Sequence, residues 1–307
     1  MKRKESISPK PEWLKKRISS GQPYHKVLKI LRKGGLHTVC EEAHCPNLGE
    51  CFSQGTATFM ILGDRCTRNC MFCAIRHAPP LPPDEEEPAM VAGAVRELGL
   101  GYAVITSVTR DDLPDGGAAH FAQTIRSIRD GNPGTRVEVL IPDFQGSEPA
   151  LRKVVEARPD IINHNLETVP RLYCDVRPQA DYARSLQLIE RVSRMDQMIP
   201  AKSGLMLGLG ERQEEILKVF NDLLDAGCQI LTIGQYLSPS SEHHQVVRYI
   251  PPDEFSRWEE IAYKSGFTAV ASGPFVRSSF HAGETFLQAH FQTESSLSLS
   301  NREPEQL

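Results

Sequence analysis

The sequence lacks any long apolar run, and nowhere does it contain the roughly eighteen consecutive apolar residues of a membrane-spanning helix. It also lacks a bias of charge, since 35 Lys and Arg residues stand against 39 Asp and Glu residues, for a net charge of −4. The basic N-terminus is not followed by the apolar core of a signal peptide. We therefore expect a cytoplasmic protein that binds neither nucleic acid nor a membrane.

Cysteine is too sparse for a disulfide framework, with eight residues in a chain of 307, yet it is concentrated in one region. Six cysteines lie within 34 residues and form a first trio, Cys40, Cys45 and Cys51, and a second trio, Cys66, Cys70 and Cys73. Such short spacings in a reducing compartment favour metal ligation over cross-linking. Cys174 and Cys228 stand apart, and we interpret them as packing or loop cysteines.

Each trio supplies one thiolate fewer than the four ligands of a tetrahedral ion or a cubane iron–sulfur cluster. The second trio, C-x3-C-x2-C, can bind three irons of a cluster and leave the fourth iron open to another ligand. Zinc is the alternative, with His77 completing the second trio and His44, or more weakly His37, completing the first. The two trios cannot share one cubane, because six thiolates exceed what it can bind.

After the cysteines, short β-branched runs alternate with amphipathic helical patterns. Strands are predicted at 56–62, 102–108, 136–142, 160–166, 203–209, 229–237 and 267–273, and helices at 88–99, 118–130, 148–157, 181–194, 212–226 and 253–264. This alternation favours βαβ units and a parallel sheet. Six units and a last strand predict an α/β fold of the partial (β/α)6 barrel type, with an open doubly wound sheet as the alternative.

The rest of the chain is predicted to form extensions around this barrel, which spans 56–273. Residues 1–55 contain the amphipathic helix "YHKVLKILRK" and a basic arm, since residues 1–33 carry eleven basic side chains against two acidic ones. Residues 274–291 form a C-terminal segment. The polar tail at 292–307 is expected to be disordered.

Phe72 stands directly before the last cysteine of the second trio, on a loop after the first strand of a βα repeat. This arrangement resembles the signature of the radical S-adenosylmethionine superfamily. The resemblance implies that the second trio holds a 4Fe–4S cluster whose open iron binds S-adenosylmethionine. One electron from that cluster then cleaves S-adenosylmethionine to a 5′-deoxyadenosyl radical.

The same resemblance implies which residues contact S-adenosylmethionine: Phe72, Gly116, Gly117, Asn165, Glu167, Arg177 and Gly208. Simpler explanations stay open for several of these positions. "DGG" at 115–117 is also common turn chemistry. Gly208 also fits close backbone packing, and Glu167 also fits a solvated charge.

Several longer motifs resemble the lipoyl synthase family: "CEEAHCPNLGEC", "GDRCTRNCMFCA", "TSVTRDDLPDGGAAHF", "GQYLSPS" and "GPFVRSSFHAGE". The resemblance implies a second, sacrificial 4Fe–4S cluster held by the first trio and by Ser279 of "RSSF", which counts as catalytic. "RSSF" must then fold back over the N-terminal extension. Two positions depart from the family pattern: Phe280 replaces the usual Tyr, and Cys174 replaces a frequent basic residue.

The resemblance implies a radical sulfurtransferase that inserts two sulfur atoms at C6 and C8 of an octanoyl chain attached to a carrier lysine. The implied partners are E2 subunits of 2-oxoacid dehydrogenases or the glycine cleavage H protein, a low-potential electron donor and an iron–sulfur carrier that repairs the cluster. Acidic carriers would be steered by basic residues of the arm, unless these only form a solvated face: Lys15, Lys16, Arg17, Lys26 and Lys29. The alternatives are another radical enzyme with an auxiliary cluster, or a non-catalytic electron-transfer or sensor protein.

Overall fold

The structure, a computed structural model, describes residues 10–16 and 21–289. In these residues the strands are β1 (His37–Thr38), β2 (Thr58–Ile61), β3 (Arg65–Cys66), β4 (Arg76–His77), β5 (Tyr102–Ser107), β6 (Arg136–Leu140), β7 (Ile161–Asn163), β8 (Ala201–Leu207), β9 (Cys228–Gln235) and β10 (Ala269–Gly273). The helices are α1 (Gln22–Lys33), α2 (Val39–Glu42), α3 (Leu48–Ser53), α4 (Glu87–Leu98), α5 (Ala118–Gly131), α6 (Glu148–Glu156), α7 (Tyr173–Val176), α8 (Tyr182–Met195), α9 (Gln213–Asp225) and α10 (Pro252–Ser265). Every predicted strand and helix of the βα repeat is confirmed.

The main sheet has eight strands in the order β1-β2-β5-β6-β7-β8-β9-β10. All neighbours pair in parallel except β1, which lies antiparallel to β2. The order follows the sequence without a reversal, whereas a doubly wound sheet reverses at its switch point. Successive right-handed crossovers in one direction place the six helices on the same face. The fold is therefore the predicted mostly parallel α/β type, and the described sheet is open at β1 and β10.

Local sequence signals set the ends of these helices. Ser147 and Asp181 precede α6 and α8, and their side-chain oxygens accept hydrogen bonds from the backbone N–H groups of Ala150 and Arg184, at 3.3 and 2.7 Å. These bonds satisfy donors that the first helical turn leaves unpaired. Gly99 ends α4 in the left-handed conformation, with φ of 70°. The helix boundaries follow from side chains at the ends as well as from apolar periodicity.

Both extensions pack against the repeat. In α1, Val27, Ile30 and Leu31 are buried as predicted, and Leu28 is half-buried. Residues 282–289 are helical, and the side chains of this segment join a small apolar cluster of Ile161, Ile230, Ala269, Phe286 and Ala289. The amino-terminal parts of β7, β9 and β10 thus share a small core with residues 282–289. The tail at 292–307, which is predicted to be disordered, lies outside the described residues. Among the helices that the structure describes, none is long and apolar enough to cross a membrane.

A buried charge pair links β6 and β8, the two strands that flank β7 in the sheet. Lys202 Nζ on β8 lies 2.8 Å from Glu138 Oε1 on β6, and both side chains are buried. Tyr102 OH and Asn163 Nδ2 also donate to the Glu138 carboxylate, at 2.7 and 3.3 Å. Burial, followed by the Glu138 charge, raises the pKa of Tyr102. The network satisfies a carboxylate that has no access to water.

Removing one partner of this pair is expected to destabilise the fold strongly. Lys202→Met leaves Glu138 buried without its cation, which lowers the free energy of unfolding by about 3–5 kcal/mol. The matched control is Lys218→Met, because Lys218 pairs with Asp222 on the exposed face of α9. That exposed pair is worth about 0.3–0.5 kcal/mol. Urea unfolding of both variants measures the difference, and equal effects would contradict the prediction.

Candidate iron–sulfur and cofactor site

One cavity of about 350 Å³ brings together the two cysteine trios and the C-terminal motif. All six cysteines of the trios line it, together with Arg277, Ser278, Ser279 and Phe280. It lies where β5 to β9 deliver residues from their carboxyl ends, including Asn165, Glu167 and Tyr236. Parallel strands gather functional groups at this edge. Both trios therefore reach the same rim of the sheet, although sequence alone places only the second trio there.

The first trio lies on two short helices joined by a tight turn. Thr38 caps α2, since its Oγ1 accepts from Glu41 N at 3.3 Å, and Cys40 is buried within this helix. The Cys45 N–H donates to Cys40 O at 3.1 Å across His44, which has a φ of 50°. Cys51 follows on α3. The C-x4-C-x5-C spacing therefore wraps its three thiols around one side of the cavity.

The second trio lies on a loop that is held from both sides. Arg68 is almost fully buried, and its guanidinium forms ion pairs with Asp111 and Asp143, each at 2.6 Å. Cys66 Sγ accepts hydrogen bonds from the backbone N–H groups of Arg68 and Thr109, at 3.5 and 3.3 Å. Hydrogen bonds to the sulfurs tune the potential of an iron–sulfur cluster. These contacts hold the loop of the second trio at the edge of the cavity.

The C-terminal motif folds back onto the first trio's loop, as expected. Asn47 Nδ2 donates to Phe275 O at 2.7 Å, across 228 residues of sequence. His281 Nε2 lies 3.8 Å from Glu50 Oε1. Ser278 Oγ accepts from Asn165 Nδ2 at 2.6 Å, so the same motif also contacts the end of β7. Ser279 belongs to this motif and lines the cavity.

A polar group lies beside the second trio. Asn165 Nδ2 also donates to Glu167 Oε1 at 3.1 Å, and Arg177 Nη1 donates to Asn165 O at 2.8 Å. Burial raises the pKa of Glu167, against the opposing charge of Arg177 and the hydrogen bond from Asn165. Asn165 Oδ1 and Arg177 Nε are buried without a hydrogen-bond partner. Buried polar atoms are normally hydrogen-bonded, so these two atoms are positioned to bind a ligand or a water molecule.

Burial dominates the acidity of the thiols. It raises the pKa of Cys40 and Cys73 to about 12, and that of Cys51 and Cys70 to about 11. The charges of neighbouring cysteines add to the rise in all four cases, whereas Arg177 opposes it at Cys70. Burial also lowers the pKa of Arg277, against the charges of Cys45 and Glu167. Arg277 therefore lies close to both halves of the site.

Three predicted contacts with S-adenosylmethionine, Gly116, Gly117 and Gly208, are not among the described residues that line the cavity. Gly117 has a φ of 89°, and a Cβ there would lie 2.3 Å from Leu62 Cδ1. At Gly208, with a φ of 99°, a Cβ would lie 2.4 Å from Arg248 O. These backbone constraints account for Gly117 and Gly208 on their own, and contact of all three glycines with a cofactor stays a prediction. Phe72, Asn165, Glu167 and Arg177 do line the cavity.

The donor set fits iron–sulfur clusters better than one ion. Within residues 10–16 and 21–289, no three His, Cys, Asp or Glu side chains converge closely enough to hold a single metal ion. A cubane binds each thiolate through a different iron, so its ligands lie farther apart than those of one zinc ion. His77, the zinc alternative for the second trio, is exposed, and its Nδ1 lies 3.2 Å from Cys66 O.

Sequence reasoning missed two residues that organise the site. Arg68 lies within "CTRNC" and pairs with Asp111 of "TRDD", but neither sequence pattern predicts a buried ion pair. Asn47 connects to a segment that is remote in sequence. The two cysteines outside the trios are placed as expected, since Cys174 is exposed and Cys228 is buried.

Family models match two parts of the chain. Residues 60–223 match the radical S-adenosylmethionine superfamily, and residues 1–45 match the N-terminal domain of lipoyl synthase of that family.

Solved radical enzymes share the fold at low identity. HydG, a maturase of the FeFe-hydrogenase, aligns with a TM-score of 0.53 and 17% identity over 81% of this chain and 63% of its own. SuiB of Streptococcus suis bound to S-adenosylmethionine aligns with a TM-score of 0.53 and 9% identity over 71% of this chain and 51% of its own.

Curated proteins match almost the whole chain. A lipoyl synthase of Caldanaerobacter subterraneus subsp. tengcongensis is 59% identical over 89% of this chain and 95% of its own length. A lipoyl synthase of Alkaliphilus metalliredigens is 54% identical over 94% of this chain and 100% of its own length. These matches confirm the resemblance that the cysteine spacings and the "RSSF" motif indicate. The chain belongs to the lipoyl synthase family of the radical S-adenosylmethionine superfamily.

Proposed function

We propose that the chain is a lipoyl synthase that inserts two sulfur atoms, at C6 and C8, into an octanoyl group attached to a lysine of a carrier domain. One observation carries the proposal: both cysteine trios and Ser279 line a single cavity. A sulfur donor and a radical source must act on the same carbon chain, so they must face a common space. The relatives at 59% and 54% identity support the same reaction.

Two 4Fe–4S clusters fit the two trios. We assign Cys66, Cys70 and Cys73 to the cluster that binds S-adenosylmethionine, and the other set to the auxiliary, sacrificial cluster: Cys40, Cys45, Cys51 and Ser279. When bound, these groups supply a primary carbon radical that can break an aliphatic C–H bond, together with the sulfur that replaces the hydrogen. The side chains of this site have no acid or base that could do so.

The protein's own side chains bind and orient the reactants. The unpaired Asn165 Oδ1 and Arg177 Nε are available to an amino, carboxylate or hydroxyl group of S-adenosylmethionine. Glu167 and the aromatic Phe72 line the same cavity. Because Asn165 also donates to Ser278, the residues next to S-adenosylmethionine and those next to the sulfur donor are held in a fixed relation. The described residues that line the cavity are all buried or half-buried, which limits the access of water to a radical.

The partners follow from the reaction. The substrate is an octanoylated carrier domain, either an E2 subunit of a 2-oxoacid dehydrogenase or the glycine cleavage H protein. A low-potential electron donor must reduce the second trio's cluster, and an iron–sulfur carrier must rebuild the consumed one. Lys26 and Lys29 are exposed on α1 and remain candidates for docking an acidic carrier, and Arg17 lies outside the described residues.

Docking through these lysines is expected to depend on salt. Raising the ionic strength from about 0.05 to 0.5 M should raise the KM for an acidic octanoylated domain several-fold, because exposed charges are screened. A short neutral octanoyl-lysyl peptide serves as the control, and its KM should hardly change. Steady-state kinetics with both substrates measures the effect. A KM for the domain that is independent of salt would rule out steering by the arm.

The decisive experiment for the function is anaerobic. The reconstituted protein is incubated with reductant, S-adenosylmethionine and an octanoyl-lysyl carrier peptide, and the peptide is weighed by mass spectrometry. A gain of two sulfur atoms with formation of 5′-deoxyadenosine supports the proposal. Deoxyadenosine without sulfur in the peptide would indicate a different radical enzyme, and no deoxyadenosine would indicate a non-catalytic two-cluster protein.

A further inference from the structure

Lys16 lies in the N-terminal segment 10–16, and its half-buried side chain contacts other parts of the protein. Its side chain is only 26% exposed. Its Nζ donates to Asn47 Oδ1 at 2.6 Å and lies 2.5 Å from Glu50 Oε2. Asn47 and Glu50 belong to the loop and helix that carry the first trio, so the ammonium is tied to that side of the cavity. Lys16 is therefore not free to steer a carrier, contrary to the expectation from sequence.

The same ammonium also contacts the C-terminal motif. It lies 4.9 Å from the ring centroid of Phe275 and 5.0 Å from that of Phe280. Cations at this distance from an aromatic ring are attracted to it, more strongly when partly shielded from water. Phe275 and Phe280 stand on either side of Ser279 in the sequence. One cation thus contacts the segment both before and after the serine.

Both groups that bind Lys16 reach the same segment independently. Asn47 donates to Phe275 O, and Glu50 lies near His281 Nε2. Lys16, Asn47 and Glu50 therefore form a clamp in which each member contacts residues 275–281. Closing a loop of more than two hundred residues costs conformational entropy, which such contacts must offset.

The neighbouring lysine shows that this arrangement is specific. Lys15 is mostly exposed, and its ammonium pairs with Glu12 of its own segment, three residues away. Only the second of the two adjacent lysines points to the cavity wall. The residues directly before Lys16 include the buried Leu14, which anchors the segment.

We propose that Lys16 is a positioning residue that holds Ser279 against the first trio by clamping the segment 275–281 to α3 and its preceding loop. The proposal rests on the function proposed above. Lys16 does not touch the reacting atoms; it acts through the aromatic residues and the backbone that carry Ser279. With the clamp intact, the serine side of the cavity stays closed over the first trio. The second trio, held by Arg68, is unaffected.

The test uses the full chain reconstituted with both clusters. Lys16→Met removes the ammonium and keeps the apolar stem, and Lys16→Arg keeps the charge. Lys264→Met is the matched control, because Lys264 is exposed on α10 and pairs only loosely with Glu260, at 3.7 Å. Phe280→Leu removes one ring face from the other side of the clamp. If Lys16→Met does not fold, Phe280→Leu tests the proposal in its place.

Two quantities are measured. Hydrogen exchange of peptides covering 274–281 should become about tenfold faster in Lys16→Met and Phe280→Leu, as expected for the loss of charged contacts. Sulfur inserted per 5′-deoxyadenosine formed should fall about tenfold in the same variants, while deoxyadenosine formation itself is kept. Lys16→Arg should restore most of both values, and Lys264→Met should match the wild type.

Unchanged exchange at 274–281 in both Lys16→Met and Phe280→Leu would overturn the clamp. Faster exchange throughout the chain would also overturn it, because Lys16 would then contribute only to general stability. If the wild type forms deoxyadenosine without inserting sulfur, the proposed function fails. The exchange comparison still decides the clamp in that case.

Discussion

Cys70→Ala is expected to abolish 5′-deoxyadenosine formation, whereas Cys45→Ala is expected to retain it and lose only sulfur insertion. Cys70 lies on the loop held by Arg68, and Cys45 lies on the turn between α2 and α3. Losing Cys70, a cluster ligand of the second trio, removes the source of the radical, so the rate of deoxyadenosine formation should fall by roughly a thousandfold or more. The amounts of deoxyadenosine and of thiolated peptide, measured in one reaction, separate the two effects.

Cys228→Ala is the control for this pair. Cys228 is buried on β9, and its Sγ contacts the carbonyl oxygens of Ala201 and Ile230, away from the lining of the cavity. Its loss should leave both products nearly unchanged, apart from a modest cost in stability. If Cys45→Ala and Cys70→Ala lost deoxyadenosine equally, the assignment of separate clusters to the two trios would be wrong.

Ser279→Cys is expected to assemble a cluster with the first trio and yet to lose sulfur insertion by about a hundredfold. An alkoxide is a hard ligand in a set of soft sulfurs, so it leaves iron more readily than a thiolate does. A cluster that gives up its sulfur has to come apart, and a fourth thiolate opposes this. Iron and sulfide content report assembly, and the mass of the carrier peptide reports transfer.

Ser256→Cys controls for the added thiol, because Ser256 is exposed on α10 and does not line the cavity. It should behave as the wild type. Deoxyadenosine formation should persist in Ser279→Cys, since the second trio is intact. Sulfur insertion at the wild-type rate in Ser279→Cys would show that the weak oxygen ligand is not required.

The periodicity of the sequence was sufficient for the repeat, but not for the walls of the site. A buried parallel strand such as β2 is a short apolar run between turn residues, and this pattern is local. Asn47 and Phe275 meet only because the chain closes on itself, and no local pattern encodes that contact. The Ser279 assignment came from resemblance alone, because a serine in a turn carries no chemical signal of its own.

Charge patterns were the least informative part of the sequence. Lys15 and Lys16 are identical in type and adjacent, yet one is exposed and the other is enclosed by Asn47, Glu50 and two phenylalanines. Arg68 likewise resembles an ordinary loop cation, although Asp111 and Asp143 enclose it. Whether a cation is free or buried depends on tertiary contacts, and a single sequence does not contain these explicitly.

The order of synthesis gives the return of the C-terminal segment a further consequence. Asn47 and Phe275 are 228 residues apart, so the ribosome makes the cysteine loop long before the segment that covers it. At roughly 5–20 residues per second, that interval lasts on the order of ten to fifty seconds. During this time the thiols of the first trio emerge without their final wall. The nascent chain is thus the form of this protein whose cysteines are most open to oxidation.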